Sequence, residues 1–287
     1  MKKVVAAILF AAVFARAETF DPKKAPFEVL FEQSLRAGDS PEHIAMLGAA
    51  YDELMARGPE SLSNLMDRIH IENVMIGVYA ITLTKDRPLP KEQALPVLMS
   101  FVNAERPATR KMAAFLAGFY RAPEYAENIY PLLDHEKTKG AAIRALGKWQ
   151  VTNAIPRIDS FLHDAKERVR VATANALRDI GDAHAIPSLI GALDDPMYTV
   201  RNTAARALVS LGKASVEPLV SALGQAADDA KKRQIIRALG DLKDERALDA
   251  LKKMRDGGDY EMRQDVSNAI ALIGGTSTNV WFGAGGE

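Results

Sequence analysis

Val169–Asp182 reads VRVATANALRDIGD, Val200–Lys213 reads VRNTAARALVSLGK, Lys231–Asp244 reads KKRQIIRALGDLKD and Met262–Gly275 reads MRQDVSNAIALIGG. Arg170, Arg201, Lys232 and Arg263 hold one place in these runs at intervals of 31 residues, and one interval earlier Lys139 opens KGAAIRALGKWQ. A fixed period of this size, one small unit per copy, marks a solenoid whose units bury their apolar faces by stacking on neighbours.

Each copy predicts two antiparallel helices. In the copy from Lys166 to Leu193, Val169, Ala172, Ala176, Leu177 and Ile180 lie at helical spacing on one stripe, and Ile186, Leu189, Ile190 and Leu193 form a second. Gly181, Gly212 and Gly274 stand where the first helix should close in left-handed geometry. Asp194-Asp195-Pro196 separates copies, because proline disfavours helix in the residue before it and acids suit the positive end of the next helix. The cationic row should pair with these acids or with carbonyls of the adjoining copy, and serve the surface.

The Asp-Pro before the first helix, the Val-Arg pair, the Ala-x-x-x-Ala-Leu motif and the openings AIPRIDSFL and AIPSLIGAL resemble the HEAT repeat, in the short form of the phycobilin lyases. The resemblance implies an all-α fold, a right-handed α-solenoid of stacked antiparallel helix pairs. It is strongest from about Lys139 to Gly275. Upstream, residues 27–138 read as divergent copies, with ALPVLMSFV from Ala94 and ENIYPLLD from Glu127 as second helices and TRKMAAFLAGFY from Thr109 as a first helix. Pro41–Arg57, Pro59–Ile69 and Glu72–Thr84 keep helical periodicity without the other marks, as terminal copies with a polar outer face would. Residues 18–26 read as an irregular lead-in and Lys85–Lys91 as a longer loop. In the tail, residues 276–287, Trp281 and Phe282 should cover the open end of the last helix or hang loose, and not bind a ligand.

Residues 1–17 form a basic start, an apolar core from Val4 to Phe14 and an Ala-Arg-Ala end, the pattern of a secretory signal peptide. That core is shorter than a membrane-crossing helix. No cysteine exists, so no lipid anchor of the lipoprotein type is expected and no disulfide framework either. The expected address is the periplasm or the exterior.

Across the chain 37 basic residues balance 37 acidic ones, and loss of Lys2, Lys3 and Arg16 would leave a slight acidic excess. Neither the balance nor its distribution supplies the basic face of a nucleic-acid binder. Cysteine nucleophiles are absent, the glycines do not cluster ahead of a helix after a strand, and no Gly-x-Ser-x-Gly elbow occurs. His135-Glu136 and His163-Asp164, on adjacent copies, are the one arrangement that invites a metal. Deoxyhypusine hydroxylase, a HEAT-like enzyme, holds two irons with several His-Glu pairs, whereas His135-Glu136 is the single such pair here. We therefore expect no catalytic residue, no metal and no cofactor. His43, His70 and His184 read as surface groups.

In HEAT-type stacks the second helices line the concave side and grip proteins or peptides. Alignment on Ile158, Leu189, Leu219 and Leu251 turns Arg157, Ser188, Pro218 and Ala250 outward in one row and Ser160, Gly191, Ser221 and Lys253 in the next. The candidate partner-binding residues are accordingly Tyr125, Tyr130, Arg157, Ser160, Ser188, Ser221 and Lys253, with any hot spot between Tyr125 and Ser160, where the larger side chains gather. The expected function is a non-enzymatic scaffold or adaptor of the cell envelope; the alternative is a HEAT-like lyase or metal-dependent hydroxylase, or an accessory subunit of one.

Overall fold

Alternating helical stripes and punctuation become helix pairs in the computed structural model, which describes residues 21–34, 41–69, 80–82, 85, 88–255, 258–276 and 281–282. The signal-peptide segment 1–17, His70, most of the segment 72–84, part of the loop 85–91 and most of the tail lie outside these residues. The chain divides into two units, Met1–Tyr120 and Arg121–Glu287.

In the first unit, α1 (Phe27–Ser34) packs on α2 (Pro41–Ala56), α3 (Pro59–Asp67) on α4 (Lys91–Phe101), and α4 on α5 (Pro107–Ala117). Proline at the first turn, as in α3 and α5, loses no hydrogen bond there and presets the helical φ. The lead-in is more ordered than its composition suggests. Asp21 caps a 3-10 turn at Pro22–Lys24, and Arg57 Nη2 donates to the carbonyls of Pro22 and Ala25 at 3.1 and 2.6 Å.

The second unit is a stack of pairs. Its first helices are, after the short α6 (Ala126–Ile129), α7 (Lys139–Lys148), α9 (Glu167–Ile180), α11 (Tyr198–Ser210), α13 (Asp229–Leu242) and α15 (Tyr260–Ile273), and each packs on the next. Between them run second elements built on α6, α8 (Ile155–Ile158), α10 (Ile186–Gly191), α12 (Val216–Gln225) and α14 (Leu248–Met254). Those built on α6, α8 and α10 start and finish in 3-10 turns, at residues 123–134, 152–163 and 183–194. No strand occurs among the described residues, and the fold is the all-α solenoid class that the repeat implied.

Close stacking rests on small residues at one register. Ala145, Ala176, Ala207, Ala238 and Ala269, 31 apart, are all buried. Beside this row Gly147 comes so near α9 that a Cβ on it would stand 2.6 Å from Ala176 Cα. Ile158, Leu189, Leu219 and Leu251 are fully buried from the second elements, and every such aliphatic side chain contributes roughly 1.5–3 kcal/mol by leaving water.

The first helices close on one left-handed residue per copy: Gln150, Gly181, Gly212, Lys243 and Gly275, with φ of 55, 76, 73, 52 and 72°. Two of these are not glycine, so composition alone hides them. Gly274 does not take the role expected of it. It keeps right-handed geometry at φ −76°, because Thr276 N–H reaches back to Ala271 O at 2.9 Å and the closure falls on Gly275.

Trp281 and Phe282 dock on α13, where the Asp241 carboxylate accepts both backbone N–H groups at 3.0 and 2.5 Å. Phe282 is buried, and the Trp281 ring and Ala269 of α15 each lie 2.9 Å from where a Cβ on Gly240 would stand, so the ring sits where α13 meets the last helix. A carboxylate facing two converging amides is a strong local anchor.

Candidate functional site

The second elements at residues 123–134 and 152–163 carry the larger side chains and leave a groove of about 620 Å³ between them. Proline shapes both walls. Pro131 opens the 3-10 turn Tyr130–Asp134 and Pro156 lies in the first turn of α8, so the chain tightens beside the groove.

Tyr130 forms the floor. It is buried, its hydroxyl donates to Asn153 Oδ1 at 3.2 Å, and the Arg157 guanidinium lies 4.2 Å from its ring centroid. Burial first, and the Glu127 charge second, hold the Tyr130 phenol above its usual range against the opposing pull of Arg157, so the hydroxyl remains a donor. Stacking an exposed guanidinium on an aromatic face is worth about 0.5–1 kcal/mol. Here it also holds Arg157 in place, with Ser160 exposed next to it and Phe161 half-buried beyond. Glu127 and Asp134, both exposed, put carboxylates on the opposite wall. The groove thus combines an aromatic floor, a positioned cation and two acids, the residue types that fix protein segments by stacking and charge-assisted hydrogen bonds.

Three of the sequence candidates, Tyr130, Arg157 and Ser160, meet in this groove. Tyr125 is half-buried in the preceding 3-10 turn Pro123–Tyr125. Ser188 turns back to donate to Asp159 Oδ2 at 3.2 Å, while Ser221, which accepts from Gln225, and Lys253 are exposed on α12 and α14 away from the groove. Glu127, Pro131 and Asp134 were missed, since an acid or proline on a polar helix face carries no signal until its neighbour is known. Trp149, by contrast, is core, 1% exposed.

Around the two histidine pairs the acids are already engaged. Glu136 takes Lys139 at 2.7 Å and also Lys166, and the hydrogen bonds from Lys139 and Lys166 hold its carboxyl down at about 2. Asp164 accepts from Lys139 at 2.8 Å. His135 Nδ1 accepts from Lys137 N–H and His163 is exposed. Among the described residues no three His, Asp or Glu side chains gather as a metal would require.

The cationic row divides its work. Arg170 Nη1 donates to the carbonyl of Asp164 in its own loop, at 2.8 Å, and its Nε and Nη2 reach Asp195 of the next copy. Arg201 and Arg263 hold the carbonyls of Asp195 and Gly258 in the same way, both at 2.7 Å.

Compared with known proteins, a family model described as HEAT repeats matches residues 126–209 and 191–272. Among solved structures, an engineered protein is similar at 18% identity over 86% of this chain and 78% of its own, with a TM-score of 0.47. The complex of CpcE and CpcF of phycocyanin lyase from a Nostoc species is 20% identical over 75% and 94%, with a TM-score of 0.45. Human deoxyhypusine hydroxylase in complex with glycerol is 16% identical over 87% and 96%, with a TM-score of 0.37. None of the curated proteins matches by sequence.

Proposed function

This chain belongs to the HEAT-repeat family, and on that footing we propose that it acts without catalysis, as a scaffold that holds a partner protein in the groove between residues 123–134 and 152–163. The observation that carries the reading is Arg157 resting 4.2 Å above the Tyr130 ring in an open groove. Tyrosine and arginine lead the residue types on which binding energy concentrates, and a side chain already held in place loses little entropy when a partner arrives.

The scaffold works outside the cytoplasm. Support comes from the basic start, apolar core and Ala-Arg-Ala end of residues 1–17. No helix among the described residues is long and apolar enough to cross a membrane.

Affinity capture from the native cell envelope tests the reading, with wild type beside a Tyr130→Ala/Arg157→Glu double variant checked for unchanged circular dichroism. A protein retained by wild type and lost by the variant, and confirmed with purified components, is expected. Equal retention by both moves the site elsewhere. Intact mass of the exported chain should begin at Glu18; a cytoplasmic chain still carrying residues 1–17 would refute the address.

A further inference from the structure

The ladder between copies has a missing rung. Lys139 reaches Asp164 and Arg170 reaches Asp195, in each case the acid three residues before the next first helix. The next rung should join Arg201 to residue 226, and that residue is Ala226. Its backbone matches its predecessors: φ and ψ are −68 and 125° at Ala226, −59 and 137° at Asp195, −61 and 143° at Asp164. Only the carboxylate is lacking. Among the described residues Arg201 Nε is buried without a hydrogen-bond partner, while its Nη1 holds the carbonyls of Asp195 and Pro196. Nearby acids are engaged elsewhere: Asp228 accepts from Lys231 N–H at 2.9 Å, Asp229 from Lys232 at 3.0 Å and Asp194 from Lys231 Nζ at 2.5 Å.

Beside this gap stand two of the four large hydrophobic side chains that are exposed among the described residues, Met197 at 42% and Tyr198 at 55%. The Tyr198 ring lies 6.0 Å from the Arg201 guanidinium. A cation with no carboxylate partner among the described residues, next to exposed apolar surface, asks for a ligand that brings the opposite charge and an apolar side chain together.

We propose that this loop edge is a second docking surface, which takes an acidic segment of a partner protein: an Asp or Glu supplies the carboxylate that Ala226 lacks and pairs with the Arg201 guanidinium, and an adjacent apolar side chain covers Met197 and Tyr198. The chemistry is read from the chain itself, since Asp195 shows what satisfies the equivalent cation one copy earlier. The groove at Tyr130 plays no part in it.

The probe is a peptide copying residues 192–196, acetyl-Ala-Leu-Asp-Asp-Pro-amide, titrated into 15N-labelled full-length protein while the Arg201 Nε–Hε signal, assigned with Arg201→Lys, is followed by NMR. The signal is expected to move to saturation with this peptide and to stay still with the Asn-Asn version. In Ala226→Asp it should already sit at the paired position and ignore the peptide. Tyr198→Ser, which leaves the ladder alone, should weaken the affinity about tenfold and keeps the test alive should Ala226→Asp misfold. No movement in wild type, an equal response to the Asn-Asn peptide, or undiminished binding by Ala226→Asp or Tyr198→Ser overturns the proposal.

Discussion

Arg170 and Asp195, on successive copies, are joined by two hydrogen bonds, Nε to Oδ2 at 2.5 Å and Nη2 to Oδ1 at 3.0 Å, with side chains only 11% and 6% exposed. Asp195 also accepts the Met197 N–H at 2.8 Å, so one carboxylate fixes both the neighbouring copy and the start of α11. Asp195→Ala would leave the guanidinium half-satisfied and the Met197 N–H without its acceptor. A loss of about 3 kcal/mol is expected, as for a broken buried ion pair, read from urea unfolding.

Ala226→Asp should do the reverse. The backbone there already has the geometry of Asp195, and the new carboxylate would meet the unsatisfied Nε of Arg201. A gain of about 1 kcal/mol, seen as a higher Tm, is expected; an unchanged or lower Tm would show that the rung cannot form.

Lys243 holds a left-handed conformation, φ 52°, at the place Gly181 and Gly212 occupy in other copies, and its side chain is exposed. Left-handed geometry crowds a Cβ against the following carbonyl, while glycine is free of that contact. Lys243→Gly is expected to raise stability by about 0.5–1 kcal/mol. Gln150 is a poorer place to try, because its amide donates to Asp179 O on the next copy.

Gly147→Ala would place a methyl group 2.6 Å from Ala176 Cα, which is backbone and cannot rotate away. Helices α7 and α9 would have to part. We expect a loss of about 1–3 kcal/mol, whereas Gly191→Ala, with nothing within 4 Å, should change little.

Acid should loosen the stack in a defined window. Hydrogen bonds from Lys139 and Lys166 lower the Glu136 carboxyl from 4.5 to about 2, and those from the Arg246 side chain and backbone lower Asp244 from 3.8 to about 2. Both groups bind protons more readily in the unfolded chain, so their stabilisation is complete above pH 4.5 and disappears as pH falls through about 2. Tm should fall between those limits, and less steeply in a Glu136→Gln/Asp244→Asn chain. An identical slope in both proteins would show that other carboxylates carry the effect.

Periodicity made the helix pairs legible from sequence because burial selects side chains one by one: an alanine at one register and a leucine at another recur every 31 residues wherever a copy meets its neighbour. The apolar alignment through Ile158, Leu189, Leu219 and Leu251 carries over directly into buried positions for the same reason. The cationic row was legible as a row. Which carbonyls and carboxylates each member reaches was not.

What the sequence alone determined, then, is the all-α class, the register of each pair and the faces turned inward, since these follow from local spacing and transfer of apolar groups from water. Tertiary structure decided the rest: that Arg157 lies on Tyr130, 27 positions back in sequence, that Lys243 accepts a glycine's backbone, that the tail seeks Asp241, and that Arg201 lacks the acid its predecessors have. These depend on distances of a few ångströms between copies, which are set only when the helices have packed.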